Sequence, residues 1–281
     1  MKCMSNELFC ILPQKLRGAI QKELLPELQE IRLRVGRPVS LVTGKGVQLL
    51  EISAAPEDLA FVINTASRYS PWNAVTVGKG FLTAPGGHRI GICGDAVIDK
   101  GRVQGIRTPT SLCIRVAKEF PGIGQAVDLR DSVLIIGPPG SGKTTLLRDL
   151  IRRICREKRG SVSVVDERGE IFPQIGGKNC FDPGNSADIL TGCPKPEGIE
   201  VVLRSMGPEW IAVDEITAAG DCDALIQAGW CGVKLLATVH ASGIDDLTQR
   251  PIYRPLLQTK LFRQGIILRR DKSMRLERMV L

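Results

Sequence analysis

The residues from Gly137 to Thr144 have the types and spacing needed to hold a polyphosphate. They read GPPGSGKT, follow a short apolar run and precede an apolar-periodic stretch that begins at Leu146. Glycines let backbone N–H groups approach phosphates, and a helix N-terminus favours negative charge. We expect Lys143 to reach the β- and γ-phosphates of ATP and Thr144 to ligate Mg²⁺. The predicted binding residues are Gly137, Pro138, Pro139, Gly140, Ser141, Gly142, Lys143, Thr144 and Thr145.

Carboxylates follow two other apolar runs. Asp214 and Glu215 end the stretch IAVDE, and Glu167 and Glu170 belong to the stretch VVDERGE. We expect Asp214, on a strand next to that of the P-loop, to face the Mg²⁺, and Glu215 to polarise the attacking water. One of Glu167 and Glu170 is expected to assist, since parallel strand ends converge on one crevice. A surface acidic pair and a salt-bridged turn are the respective alternatives.

A third apolar run, LLATVHA, ends in polar residues. It carries Thr238 and His240 at the predicted end of a strand, and the whole chain has only two histidines. A polar side chain at this position can sense the γ-phosphate and relay its loss. The alternative is a histidine that satisfies its hydrogen bonds within a loop.

Composition narrows the function classes. The 281 residues carry a net charge of +8, and nine cysteines form no Cys-x-x-Cys pair, which favours reduced thiols over a disulfide framework or a metal site. The N-terminal stretch lacks the apolar core of a secretory signal, and no run is long enough to span a membrane, so we expect the cytosol.

A nucleic-acid-stimulated ATPase or a single-stranded nucleic-acid-binding protein is the alternative function. Basic residues concentrate after the P-loop, from Arg148 to Arg159, and near the C-terminus, from Arg263 to Arg278, where a solvated surface is the default expectation. Few aromatic residues accompany these basic runs, which argues against nucleic-acid binding. A nucleotide-gated scaffold without hydrolysis is a third hypothesis.

The order of predicted elements divides the chain into two domains. Residues 1–122 mix short helices with strands, which predicts a small α+β domain, and the apolar period in the second half of that domain includes Ala96 and Ile98. Residues 123–281 alternate apolar strands and helices, which predicts a mainly parallel sheet covered by helices. The helix after the P-loop is expected to span residues 144–158 and to end at Gly160.

Several blocks resemble a known group of enzymes. In chain order, GPPGSGKT, VVDERGE, LRSMGPEWIAVDE and ATVHA are similar to the secretion-type traffic ATPases, a hexameric branch of the RecA-like P-loop enzymes. Two longer blocks, GGHRIGICGDAV and TGCPKPEGIEVVLRSMGPEWIAVDEI, resemble one member group, the stage III sporulation protein AA family. The resemblance covers most of residues 86–281 and is looser over residues 1–80.

The resemblance implies a Mg²⁺-dependent ATPase of the mother-cell cytoplasm that forms a homo-oligomeric ring. Its partners would be membrane proteins that build a channel between mother cell and forespore. It also implies roles for Arg204, upstream of the Walker B strand, for His240 as a sensor, and for Arg115, with Arg89 as a second candidate, as an arginine that approaches phosphates in trans. The chain departs from the wider group where Thr217 replaces an arginine and where no histidine lies near Cys231.

Overall fold

The computed structural model describes residues 4–67, 80–99, 102–175, 177–271 and 273–278. Its contacts form two compact units, one of Met1–Glu119 with Pro173–Phe181 and the other of Phe120–Phe172 with Asp182–Leu281. The first segment of the N-terminal unit ends at Glu119, shortly before the predicted domain boundary at residue 122. The membership of Pro173–Phe181 in the N-terminal unit was not predicted.

The N-terminal unit is built on a six-stranded antiparallel sheet whose strand order is β3-β2-β1-β6-β5-β4. In β1 the alternating sequence buries Leu28, Ile31 and Leu33 in the core that α1 and α3 share with the sheet. The helices are α1 (Met4–Ile11), α2 (Gln14–Ala19) and α3 (Pro56–Ser67). The strands are β1 (Leu28–Arg34), β2 (Pro38–Thr43), β3 (Gly46–Ser53), β4 (Phe81–Ala84), β5 (His88–Asp99) and β6 (Arg102–Arg115).

The predicted apolar period of β5 is only half right. Ile90 and Ile92 are buried, whereas Ala96 is exposed and Ile98 is 66% exposed. The reason is that the described pairings of the outer half of β5 are with β6 alone, so this part is a two-stranded ribbon. Such a ribbon has no third strand to build a core against.

A short hairpin joins the N-terminal unit from far along the chain. It consists of β9 (Gln174–Ile175) and β10 (Lys178–Asn179). The hairpin belongs to this unit because Phe181, which follows it, packs against Gly87. A Cβ on Gly87 would lie 2.9 Å from the Phe181 ring.

The second unit is a seven-stranded sheet with helices, in the order β11-β8-β12-β13-β7-β14-β15. Neighbouring strands are parallel except for the last pair, β14 and β15, so the predicted mainly parallel sheet is confirmed. Its strands are β7 (Ser132–Ile136), β8 (Val162–Asp166), β11 (Ala187–Thr191), β12 (Trp210–Val213), β13 (Lys234–Val239), β14 (Phe262–Leu268) and β15 (Met274–Arg278). Its helices are α4 (Lys143–Arg156), α5 (Lys195–Ser205), α6 (Ala219–Trp230), α7 (Ile244–Gln249) and α8 (Arg254–Gln258).

Helix α4 packs against this sheet through its apolar side, as its sequence predicts, burying Leu146, Leu150 and Ile154. Its predicted end was wrong, because the helix stops at Arg156 and Lys158 adopts a left-handed φ of 53°. Within the described parts of the chain, no helix is both long and apolar enough to cross a bilayer.

Candidate functional site

The predicted P-loop connects β7 to the first turn of α4. A Cβ on Gly137 would lie 2.6 Å from Ser141 Oγ and 2.8 Å from the Leu268 carbonyl oxygen, so only glycine fits there. Gly142 caps α4 with a φ of 99°, and a Cβ on it would meet nothing within 4 Å. The loop therefore presents open space at a helix N-terminus, which is what a phosphate group requires.

Lys143, the first residue of α4, points back into the loop. Its Nζ donates to the Pro138 carbonyl oxygen at 3.0 Å and lies 2.9 Å from His240 Nδ1. Burial lowers the pKa of the Lys143 ammonium, and the Asp214 and Glu215 carboxylates oppose that shift. Because an ammonium only donates, His240 Nδ1 is the acceptor and the ring hydrogen of neutral His240 lies on Nε2.

His240 connects the lysine to Glu215. Its Nε2–H donates to Glu215 Oε1 at 3.1 Å, and Glu215 Oε2 accepts a hydrogen bond from Arg168 Nη1 at 2.9 Å. Lys143 and Glu215 thus share one neighbour, so any movement of Lys143 away from Nδ1 changes the hydrogen bonding of the ring that holds Glu215.

Asp214 lies against the P-loop helix. Its Oδ2 accepts a hydrogen bond from Thr144 Oγ1 at 2.7 Å, and its Oδ1 accepts one from Thr238 Oγ1. The predicted convergence of Thr144 and Asp214 is therefore observed. The predicted strand order was wrong, because β13 lies between the P-loop strand β7 and the Asp214 strand β12. The side chain of Asp214 reaches across the end of β13, where it accepts the hydrogen bond from Thr238.

The turn after β8 is held by a buried carboxylate that the sequence analysis gave no role. Asp166 Oδ1 accepts the backbone N–H of Glu170 at 2.8 Å, and Oδ2 accepts those of Ile171 and Phe172, each at 2.9 Å. Burial raises the pKa of Asp166 to about 6, although these N–H groups oppose the shift. From α4, Arg148 Nε donates to the Ile171 carbonyl oxygen at 2.6 Å. The turn is thus fixed from both sides.

Glu167 is engaged by a buried lysine that was also missed. Lys195 Nζ lies 2.5 Å from Glu167 Oε2 and 3.8 Å from Asp221 Oδ2, and the Lys195 side chain is 5% exposed. Asp221 in turn accepts the backbone N–H groups of Thr217 and Ala218, at 2.9 and 3.1 Å. This network joins the turn after β8 to the start of α6.

The carboxylate-bearing strand ends share one cleft. Its lining brings the two predicted pairs, Asp214 with Glu215 and Glu167 with Glu170, together with two cations that the sequence analysis did not single out. The residues are Val165, Asp166, Glu167, Arg168, Glu170, Lys195, Asp214 and Glu215. Arg168 lies inside the quoted VVDERGE block and Lys195 inside the quoted block that begins TGCPKPEG, so both positions were available from the sequence although neither residue was given a role.

Of the predicted arginines, Arg204 lies away from this cleft in the second unit, and the other two belong to the N-terminal unit. Arg204 is at the end of α5 with a side chain 78% exposed, and its described ion pair is with Glu200 at 2.7 Å. A helix surface position one turn from a partner glutamate explains that pairing. Arg115 belongs to the N-terminal unit, where it is 68% exposed and lies 3.8 Å from Glu30 Oε1. Arg89 is directly opposite Arg115 on the neighbouring strand.

The residues fit a magnesium-bound nucleoside triphosphate. Ser141 Oγ in the loop is buried and has no hydrogen-bond partner within the described residues, and the Thr144 hydroxyl and the Asp214 carboxylate offer adjacent hard oxygen ligands. Over the same residues, no group of three or more His, Cys, Asp or Glu could hold a metal ion alone. Mg²⁺ suits such a site, because it is bound by few protein oxygens together with phosphates and water.

Two solved structures share this fold. The structure resembles the Legionella pneumophila ATPase DotB with a TM-score of 0.56 at 19% identity, over 94% of this chain and 78% of that chain. It also resembles the pilus retraction motor PilT, solved with bound ADP, with a TM-score of 0.61 at 15% identity, over 90% of this chain and 76% of that chain. At these identities the likeness concerns the fold, a RecA-like P-loop domain with a preceding α+β domain.

Sequence relatives identify the family. The Protein SEEDLING PLASTID DEVELOPMENT 1 of Arabidopsis thaliana is 28% identical over 88% of this chain, which spans 35% of that protein. The Stage III sporulation protein AA of Bacillus subtilis (strain 168) is 35% identical over 95% of this chain and 92% of that protein. The family model for sporulation stage III, protein AA, matches residues 3–276. This chain therefore belongs to the sporulation stage III, protein AA family.

Proposed function

We propose that this chain binds and hydrolyses ATP with Mg²⁺. The observation that carries the proposal is the 2.7 Å hydrogen bond between Thr144 and Asp214, which joins the P-loop helix to the carboxylate after β12. A hydroxyl and a carboxylate at this spacing beside an open glycine loop form a magnesium and phosphate site. When bound, Mg²⁺ supplies positive charge against the β- and γ-phosphate oxygens.

The chain's own residues bind the phosphates, activate the water and sense the nucleotide. The loop glycines and the α4 N-terminus bind the phosphates, and Lys143 exchanges the Pro138 carbonyl oxygen and His240 for phosphate oxygens. Glu215 orients the attacking water and accepts its proton. Glu167 and Glu170 line the same cleft and are the two candidates for assisting it, and Lys195 Nζ lies 2.5 Å from Glu167. His240 is the candidate sensor, since it touches both Lys143 and Glu215.

We propose further that turnover drives or gates a membrane-associated assembly during sporulation. Family membership supports the sporulation role, and the fold shared with DotB, which is described as an ATPase, and PilT, described as a retraction motor, supports coupling to movement. The chain would act in the mother-cell cytoplasm as a ring, hexameric by analogy, and Arg115 would reach the phosphates of a neighbouring subunit. Its partners would be membrane proteins of a channel complex.

Loss of the P-loop lysine tests the binding half of this proposal. We expect Lys143→Ala to weaken ATP binding by about ten- to a hundredfold, because a charge-assisted hydrogen bond to phosphate contributes about 1.5–3 kcal/mol. Equilibrium titration with ATP and Mg²⁺ measures the effect. Lys45→Ala is the matched control, since Lys45 is 80% exposed on the N-terminal unit. Equal affinities of the Lys143→Ala and wild-type proteins would contradict the proposal.

A further inference from the structure

Thr238 forms hydrogen bonds with both functional carboxylate residues, Asp214 and Glu215. It is the residue before Val239 at the end of β13 and is 0% exposed. Its Oγ1 accepts the backbone N–H of Glu215 at 2.8 Å and donates to Asp214 Oδ1. Its backbone carbonyl oxygen accepts the N–H of Ile216 at 2.9 Å. One residue therefore holds three consecutive residues of the other strand end.

These contacts favour a positioning role for the Thr238 hydroxyl over the sensor role that its place at the end of a strand also allows. A hydroxyl has one hydrogen to donate, and that of Thr238 is directed to Asp214. The side chain is fully enclosed, and none of the described hydrogen bonds joins it to the P-loop. To donate to a γ-phosphate it would have to release Asp214.

We propose that Thr238 is a positioning residue, whose hydroxyl orients the Asp214 carboxylate toward the metal and fixes the backbone from which Glu215 projects. The inference rests on the proposed function. The first observation that supports this role is the hydrogen bonding of Asp214. Its two carboxylate oxygens accept hydrogen bonds from two different hydroxyls, that of Thr144 at Oδ2 and that of Thr238 at Oδ1. With both partners present the carboxylate plane has one orientation.

The backbone of Glu215 supplies the second support. Glu215 has a φ of 53°, which lies in the left-handed region that residues other than glycine rarely adopt. Such a conformation persists only where its surroundings fix it. The hydrogen bonds from the Glu215 and Ile216 N–H groups to Thr238 provide that fixation, and the first of them depends on the hydroxyl.

The test separates the contribution of the Thr238 hydroxyl from that of its methyl group. Thr238→Val keeps the shape and removes the hydroxyl, whereas Thr238→Ser keeps the hydroxyl and removes the methyl group. Ser163→Ala is the matched control, because Ser163 is 0% exposed on β8, the strand on the other side of β12, and its Oγ has no hydrogen-bond partner among the described residues. Should Thr238→Val fail to fold in a thermal melt, Thr238→Ala against Thr238→Ser makes the same comparison.

ATP affinity is measured by titration with Mg²⁺ and, separately, with EDTA, and phosphate release is measured on the full chain. We expect Thr238→Val to weaken the Mg²⁺ dependence of ATP binding and to lower kcat by about ten- to a hundredfold each, the usual cost of losing a hydrogen-bond partner of a metal ligand. ATP affinity in EDTA should be unchanged. Thr238→Ser and Ser163→Ala should stay close to wild type.

Each other outcome has a definite meaning. Wild-type Mg²⁺ dependence and kcat in Thr238→Val, or equal losses in the Ser and Ala variants, overturn the inference and leave the proposed function intact. A parallel loss of ATP affinity in EDTA overturns it as well, since a general structural role would produce that result. A wild-type protein that binds no ATP under either condition overturns the proposed function itself.

Discussion

At the residue scale, the site depends on carboxylates with unequal surroundings. Glu215 and Asp214 lie between hydroxyl, imidazole and guanidinium groups, whereas Asp166 is buried beneath the turn that follows β8. Burial alone makes the ionised form of a carboxylate less favourable. Asp166 offsets part of that cost with three backbone N–H donors, and its pKa is still raised to about 6.

This raised pKa predicts a pH dependence of stability. The folded-state value of about 6 exceeds the unfolded value of 3.8, so the folded chain binds more protons between these pH values. The stabilisation from this group is therefore present below pH 4 and lost as pH rises through 6. We expect the advantage in unfolding free energy of wild type over Asp166→Asn to fall by up to about 3 kcal/mol between pH 4 and pH 7.

Urea unfolding of both proteins at several pH values measures this difference. Titrating groups that do not interact with Asp166 act equally in the two proteins and cancel in the comparison. An advantage of wild type that grows with pH would show that the three N–H donors outweigh burial at Asp166, and the sign of the prediction would be wrong.

At the scale of elements, the sequence predicts what short-range periodicity encodes. The apolar runs before the P-loop, before Asp214 and before His240 form strands, and the stretch after Lys143 forms a helix with its apolar residues buried. The contact of Thr144 with Asp214 follows from the rule that parallel strand ends converge. This much of the candidate site could be derived before any coordinates.

The order of the strands in the sheet could not be predicted from local sequence patterns. The intervening position of β13 is set by crossover connections, which leave no trace in the local pattern. Strands β14 and β15 were missed because their arginines made the segment resemble a basic surface tail, although the last four residues of β14, Gly265 to Leu268, are all buried. Lys195 was missed since its partners, Glu167 and Asp221, come from other elements.

At the scale of the whole molecule, the proposed trans arginine predicts complementation between subunits. Arg115→Ala should lower turnover by roughly a thousandfold, the lower range for losing such an arginine. Its stability should change by no more than about 0.5 kcal/mol, because Arg115 is 68% exposed and its ion pair is long. Mixed with Glu215→Gln protein, it should regain activity, since each protein supplies what the other lacks.

Phosphate release from the separate and mixed proteins measures this effect. Arg34→Ala is the control, as Arg34 is exposed on β1 of the same sheet. Full activity of Arg115→Ala alone, or mixtures no more active than their components, would remove Arg115 from this role.

The central claim is that Glu215 acts on a triphosphate held by the P-loop, and ATP binding and phosphate release by Glu215→Gln test it most directly. Glutamine keeps the shape and removes the base, so ATP affinity should match wild type while turnover falls at least about a hundredfold. Turnover equal to that of wild type would contradict the account.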